Sequence, residues 1–154
     1  MRKIELVFYL RAVLLLLTIL PVACSNERNP AEKETRELQF QESMSGVVLE
    51  GYFSTDSWGS SLSEERYHIT KVSKLASDIW VFQARIQYGS HDVTVPVPVR
   101  MEWAGDTPIL SLTDVAIPGL GTFTARVLFY DGHYVGVWQH GEVTGQHFGR
   151  IVPQ

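Results

Sequence analysis

The stretch WVFQARIQYGSHDVTVPVPVRMEW, residues 80–103, alternates apolar and polar residues almost without interruption. One face of its first half carries Trp80, Phe82, Ala84, Ile86 and Tyr88, and one face of its second half carries Val93, Val95, Val97, Val99, Met101 and Trp103. A period of two is typical of a β-strand with one buried face. Residues 88–92, which include Gly89 and Ser90, suit a turn between the halves. The stretch therefore predicts a β-hairpin.

Two prolines, Pro96 and Pro98, share the polar face of the second predicted strand. Proline has no backbone N–H, so both remove a ladder donor that would point in the same lateral direction. This strand is therefore expected to lie at an edge or to carry a bulge.

Six further segments are rich in Val, Ile, Tyr, Phe and Thr and are separated by short turns: residues 46–53, 67–72, 109–117, 122–130, 134–140 and 146–152. Short connections pair strands that are neighbours in sequence. An all-β domain of about eight antiparallel strands in meander order follows, and a barrel is favoured over a sandwich because closure removes exposed edges. In strand number and connectivity the chain resembles the calycin group, which includes the lipocalins.

The 154 residues suit one globular domain, and their formal net charge is −4. Loss of residues 1–23 would remove Arg2, Lys3, Arg11 and Glu5 and leave a charge of −6. The remaining basic residues are scattered along the chain, so nucleic acid is not expected as a partner. The single cysteine, Cys24, cannot form an internal disulfide or a redox pair.

The N-terminus has the layout of a secretory signal: basic residues up to Arg11, an apolar run from Ala12 and small residues before Cys24. The run to Ala23 is shorter than the roughly 20 residues that cross a bilayer. The segment Leu20-Pro21-Val22-Ala23-Cys24 resembles the cleavage site of bacterial lipoproteins, with Pro21 where that family usually has leucine.

That resemblance implies lipidation at Cys24, and Ser25 after the cysteine implies the outer membrane in an envelope with two membranes. A soluble periplasmic protein cleaved near Ala23 and an uncleaved anchor are the alternatives. The predicted organisation is a signal peptide over residues 1–23, a polar tether with at most a short helical turn over 24–42, and one all-β domain over 43–154. Residues 61–64, with the spacing of a capping box, predict one helical turn.

Three histidines, His133, His140 and His147, recur at equal spacing near the last hairpin and could ligate a metal if they converged. The strand register decides whether His140 and His147 share a face, and surface positions are the favoured interpretation. The sequence lacks the catalytic and nucleotide-binding motifs of the common enzyme classes, so we predict no catalytic, metal or cofactor residues.

Arg85 is a candidate anchor for an anionic ligand, although an arginine on a polar strand face is more often solvated or paired with a carboxylate. Trp58, Trp80, Trp103, Trp138 and the tyrosines either fill the barrel or line a ligand cavity, and packing is the favoured interpretation. The glycines at 136, 141, 145 and 149 are expected at strand bends and turns.

The predicted function is that of a non-catalytic lipoprotein, membrane-anchored through its lipid, whose domain binds an envelope protein or a small apolar ligand. A cavity lined by Trp or Tyr would favour the ligand. The alternative is a small enzyme or metal-binding protein that uses His133, His140 or His147. A third hypothesis is a structural envelope component with no pocket and an exposed apolar patch.

Overall fold

A computed structural model describes residues 29–57 and 61–154. One helix precedes eight strands: α1 Pro30–Ser43, β1 Val47–Thr55, β2 Ser63–Ala76, β3 Ile79–Tyr88, β4 His91–Ala104, β5 Thr107–Ile117, β6 Gly121–Tyr130, β7 His133–His140 and β8 Val143–Pro153. Each strand pairs with the next, and β1 pairs antiparallel with β8, so the sheet is a closed barrel. The predicted all-β meander barrel is confirmed. Cys24, the predicted signal peptide and Trp58 lie outside the described residues.

The two ends of the barrel differ. At the mouth lie the turns that join β3 to β4, β5 to β6, and β7 to β8. At the opposite end, the helix end, lie α1 and the turns that join β2 to β3, β4 to β5, and β6 to β7. Because the strands alternate in direction, every odd-numbered strand from β1 to β7 runs from the helix end to the mouth.

Strand β4 occupies the place in the barrel that its prolines predicted. It pairs with β3 along residues 91–100, but with β5 only through residues 100–104. Pro96 and Pro98 therefore lie where β4 has no partner on its other side in the described ladder. Near this gap the turn after β5 contributes Leu120, which is buried. The predicted edge position is therefore confirmed for the part of β4 that contains the prolines, although the barrel closes through the other end of the strand.

The polar stretch that was predicted as a tether contains helix α1. Asn29 begins it, because its side-chain oxygen accepts a hydrogen bond from the backbone N–H of Ala31 at 3.1 Å, and Pro30 fits the first helical position. The segment forms a 14-residue helix in place of the expected short turn, because two apolar side chains hold it against the barrel. Phe40 and Met44 are both buried at the helix end of the barrel.

Phe40 contacts a ring of aromatic side chains and so closes the helix end. Its ring centroid lies 5.5 Å from Trp80 and 5.6 Å from Trp103, both edge to face, and 6.2 Å from Phe129. Such aromatic pairs stabilise beyond their buried area. Lys74 of β2 forms an ion pair with Glu37 of the helix at 2.6 Å. Helix α1 is therefore the floor of the barrel.

The capping-box prediction for residues 61–64 is wrong, because Ser63 already begins strand β2. Ser63 and Glu65 pair with Phe53 and Gly51 of β1, so the backbone groups join a ladder instead of a helical turn. This earlier start of β2 places Glu65 inside the barrel. Within the described ranges, no helix has the length and hydropathy needed to cross a membrane.

Candidate ligand cavity

The barrel encloses a cavity of about 170 Å³ between the aromatic floor and the mouth. Most of its lining is aliphatic or aromatic, as at Ala84, Val97 and Leu112, and it reaches Phe53 and Phe123 near the mouth. An apolar cavity of about 150 Å³ stays dry and takes up benzene. The cavity therefore has the volume of a single small ring, and it is too small for a long acyl chain.

Four paired residues on four neighbouring strands form a row that faces this cavity. Glu65 of β2 pairs with Gly51 of β1, Gly51 with Gly149 of β8, and Gly149 with Tyr134 of β7. A Cβ atom at Gly51 would lie 2.6 Å from the Tyr134 hydroxyl, and one at Gly149 would lie 2.6 Å from its ring. The two glycines are needed because the tyrosine side chain lies over them to reach Glu65.

The carboxylate of Glu65 accepts three hydrogen bonds inside the barrel. Its Oε1 accepts from the Tyr134 hydroxyl at 2.8 Å and lies 3.1 Å from Nδ1 of His147, and its Oε2 accepts from the Tyr67 hydroxyl at 2.7 Å. The Glu65 side chain is only 3% exposed. A carboxylate with this burial needs such donors. A buried charge without partners costs far more free energy than a buried neutral polar group without partners. We call these four residues the Glu65 cluster.

Both tyrosines of the Glu65 cluster keep their protons. Burial raises the pKa of Tyr67 well above its usual range, and the negative charge of Glu65 raises it further. The pKa of Tyr134 is raised for the same reasons in the same order. The two phenols are therefore hydrogen-bond donors to the carboxylate across the whole range of pH in which the protein would work.

His147 has a second ring nitrogen with no partner. Its Nε2 is buried and makes no hydrogen bond among the described residues. It lies over Gly136, where a Cβ atom would come within 2.9 Å of it. Since Nδ1 faces a carboxylate oxygen, Nδ1 is the ring nitrogen that donates a proton in this contact.

Trp138 has an unpartnered nitrogen as well. Its indole Nε1 is buried without a hydrogen bond in the described part of the chain. The indole lies over Gly145, where a Cβ atom would come within 2.8 Å of it. Near the mouth the indole contacts Phe53 edge to face at 5.9 Å, and Phe53 contacts Tyr88 at 6.0 Å. The cavity is thus lined by Trp and Tyr, the condition that favours a ligand over simple filling.

The three candidate histidines have three different partners. Nδ1 of His133 lies 2.7 Å from the carbonyl oxygen of Asp131, and Nδ1 of His140 lies 3.1 Å from that of Thr122. The register Trp138 opposite Gly145 places His140 and His147 on the same inward face. His140, however, is exposed, and it stacks on Phe123 with ring centroids 4.5 Å apart. Residues 29–57 and 61–154 contain no group of three or more His, Cys, Asp or Glu side chains that could hold a metal ion.

Arg85 is not an inward anchor. It lies on the outside of β3, and its Nε and Nη2 donate to the two carboxylate oxygens of Asp92 at 2.7 and 2.6 Å. The hydrogen bond from Arg85 lowers the pKa of Asp92. The interpretation of Arg85 as an arginine paired with a cross-strand carboxylate is confirmed.

An exposed apolar row lies on the outer face of β1, β8 and β7. Tyr52 pairs with Phe148 and Phe148 with Val135, and all three side chains are more than 40% exposed. The Tyr52 and Phe148 rings are 6.5 Å apart. This outer row is separate from the cavity, because its members occupy the alternate positions of the same strands.

The Glu65 cluster was not predicted from the sequence. The signal for it is that Gly145, His147 and Gly149 are spaced by two, as are Tyr134, Gly136 and Trp138, so each set shares one strand face. Of the four glycines expected at strand bends and turns, Gly141 lies in the turn between β7 and β8, whereas Gly136, Gly145 and Gly149 lie within strands. Gly136 is opposite His147, Gly145 is opposite Trp138 and Gly149 is opposite Tyr134, and each glycine leaves room for the side chain that it faces.

The barrel agrees in strand number and connectivity with the resemblance to calycins. The eight strands follow one another around the barrel in sequence order, and β1 pairs with β8 to close it. One helix precedes the first strand. The sequence matches no protein-family model, and comparisons with curated proteins and with solved structures likewise give no match.

Proposed function

We propose that this protein is an exported lipoprotein whose barrel binds a small, mainly apolar molecule in the cavity. The observation that carries the proposal is the cavity itself, an apolar space of about 170 Å³ that reaches from the Glu65 cluster to the aromatic mouth. A barrel whose only task was structural would gain stability by filling such a space, because each missing contact costs dispersion energy. Retention of the cavity favours binding.

The position of α1 supports a membrane anchor at the end of the barrel away from the mouth. Cys24 precedes Asn29 by five residues, which reach at most about 18 Å when fully extended. The helix that follows is the floor of the barrel. A lipid on Cys24 would therefore hold the helix end toward the membrane and leave the mouth free for a molecule from the surrounding solution. Several acyl chains on one cysteine would make this anchoring stable.

Calorimetric titration with toluene tests the binding function. The wild-type protein should bind toluene in a saturable way at one site per chain. Leucine at Ala84 or at Ala125 would fill the cavity, since both alanines are buried and line it, and should abolish binding. Ala116→Leu, at an exposed position of β5, is the matched control and should bind like wild type. Absence of toluene binding to the wild-type protein would contradict the proposal.

Intact mass of the protein from the membrane fraction of its native host tests the anchor. We expect a chain that begins at Cys24 and carries the added mass of acyl groups, and loss of both features in Cys24→Ser. An unmodified soluble chain would refute the anchor and leave the cavity proposal standing.

A second candidate function is favoured by the contact between His147 and Glu65. A histidine whose Nδ1 is held by a carboxylate has its Nε2 prepared for general-base chemistry, and here His147 is one of the residues that line a cavity of substrate size. The protein would then be a small enzyme using His147. Exchange of carbon-bound hydrogens of a bound molecule with solvent deuterium, lost in His147→Phe, would favour this candidate over simple binding.

A further inference from the structure

The barrel wall has a gap beside the cavity, between β4 and β5. The two strands pair only from Arg100 opposite Ser111 to the turn that joins them, whereas residues 91–99 of β4 pair with β3 alone. In this part of β4, Pro96 and Pro98 have no backbone N–H to offer a neighbouring strand. An added strand would receive no hydrogen bond from either proline, so strand addition is disfavoured and side chains must close the gap.

A bulge in β5 begins where its pairing with β4 ends. After Leu112 the register with β6 shifts, so that β5 has one more residue than β6, and Asp114 has a φ of 52°. The backbone N–H of Asp114 donates to Oγ1 of Thr124 at 3.1 Å, and Nη2 of Arg126 donates to Oγ1 of Thr113 at 3.0 Å. Bulges bend the strand that carries them and are common beside binding sites. The ladder to β4 thus ends at a bulge that is tied to β6.

One side chain of the β5–β6 turn covers the gap. Pro118 and Gly119 of this turn are exposed, whereas Leu120 is buried and lines the cavity. The turn reaches toward β4, because a Cβ atom at Gly119 would lie 3.3 Å from Cγ1 of Val93. Among the described residues, apart from chain neighbours, no other heavy atom lies within 4 Å of that position. The turn therefore contacts the β4 side of the gap only lightly.

The β5–β6 turn can move without breaking a ladder bond to β4. The N–H of Leu120 donates to the carbonyl oxygen of Ile117 at 3.0 Å, and Gly119 has a φ of 80°. Proline followed by a glycine of positive φ is typical of a type II turn. The hydrogen bond lies within the turn, so the turn can move as a unit. Gly121, with a φ of 99°, follows it as a permissive joint.

The mouth, by contrast, is closed by aromatic contacts. Phe53 of β1 contacts Tyr88 of β3 at 6.0 Å and Trp138 of β7 at 5.9 Å, both edge to face. Such pairs stabilise beyond their buried area. A ligand that passed between these rings would have to separate them, whereas passage through the gap displaces one aliphatic side chain. The gap is therefore the passage with fewer contacts to break.

We infer that a ligand enters and leaves the cavity through the gap between β4 and β5, and that Leu120 is the gate. The inference rests on the proposed binding function and adds the route by which that site is reached. Leu120 returns to the same closed position whether the cavity is empty or full. The gate therefore controls the rate of ligand exchange more than the affinity.

The association rate constant of toluene tests the gate, and exchange NMR combined with calorimetric affinities gives it for each variant. Leu120→Ala should raise this constant about tenfold, because it removes most of the side chain that closes the gap. Leu49→Ala is the matched control, since Leu49 is as buried as Leu120 and lines the same cavity, but on a strand paired on both sides. Leu49→Ala and Phe53→Ala should both leave the constant near the wild-type value.

The milder Leu120→Val should accelerate association in the same direction by less, and it tests the gate even where Leu120→Ala does not fold. An association rate constant unchanged by truncation of Leu120 would overturn the inference, and acceleration by Phe53→Ala would then place the route at the mouth. Equal acceleration by Leu49→Ala would overturn it too, because any enlargement of the cavity would suffice. These results keep the proposed function, since toluene still binds. Absence of toluene binding to the folded wild-type protein would overturn both.

Discussion

Nδ1 of His147 lies 3.1 Å from Oε1 of Glu65, although β8 and β2, which carry them, are separated by β1. The residue of β1 opposite Glu65 is Gly51, which has no side chain to occupy the space beside the carboxylate. Two tyrosine hydroxyls complete the set of donors around the carboxylate. The charge of Glu65 is thus held inside an otherwise apolar barrel by residues of three strands.

Replacement of Glu65 by glutamine should destabilise the fold strongly. The amide would place an N–H group against three donors and remove their charged acceptor, which we expect to cost about 2–4 kcal/mol of unfolding free energy. Urea denaturation measures this cost. Glu64→Gln, at the exposed neighbouring position, should change the unfolding free energy by less than about 0.5 kcal/mol. Equal effects of the two substitutions would refute the role given to the cluster.

Gly136→Ala should lower stability although it adds only one methyl group. The new Cβ would come within 2.9 Å of His147 Nε2 and would also clash with the backbone oxygen of Arg126. Overpacking of this kind costs about 1–3 kcal/mol. Thermal unfolding compared with Val137→Ala, the exposed neighbour on the same strand, measures the difference. A Gly136→Ala protein as stable as wild type would show that the glycine is not needed to make room for the imidazole.

Truncation of Phe40 should open the helix end of the barrel. Loss of its ring removes the contacts with Trp80, Trp103 and Phe129, and a buried phenylalanine replaced by alanine costs about 3–5 kcal/mol. Leu38→Ala, on the exposed face of the same helix, is the matched control and should be nearly neutral. Unfolding midpoints in urea test the pair. Equal midpoints would mean that α1 is not part of the cooperative fold.

Stability should fall at alkaline pH because Tyr67 and Tyr134 cannot ionise in the folded barrel. Their pKa values are raised above the unfolded value of about 10, so their contribution is fully present below that pH and is lost as pH rises toward the folded values. Each tyrosine then lowers the unfolding free energy by up to about 1.4 kcal/mol per pH unit. Tyr67→Phe should show a shallower alkaline slope than wild type, and the same slope in both would contradict the account.

The fold could be predicted from the sequence because period-two alternation is a local property. In residues 80–103 each apolar side chain indicates the buried face of its own strand, and the short turns leave only neighbouring strands to pair. The prolines of β4 even indicated where the ladder to β5 ends. Helix α1 was harder to predict, since its buried residues are only Glu37 and Phe40, and the apolar Met44 follows its last turn.

The Glu65 cluster could not be predicted in the same way, because it depends on the pairing register of four strands. Glu65 lies 69 residues before Tyr134 and 82 before His147, and a carboxylate in a strand is usually solvated. Only the pairing of Gly51 with Glu65 and with Gly149 reveals that two adjacent positions of this row have no side chain. The glycines carried this information in the sequence, but glycine in a strand also has the simpler interpretation of a bend.

Methyl NMR spectra recorded during a toluene titration test the central claim most directly, because they locate the bound molecule. The account predicts shifts at Ile86, Val97 and Val99, which line the cavity, and none at Val135 and Val137 on the outer face. Shifts confined to the outer valines would place the ligand on the exposed apolar row and contradict a cavity-binding barrel. Unchanged spectra at saturating toluene would contradict it equally.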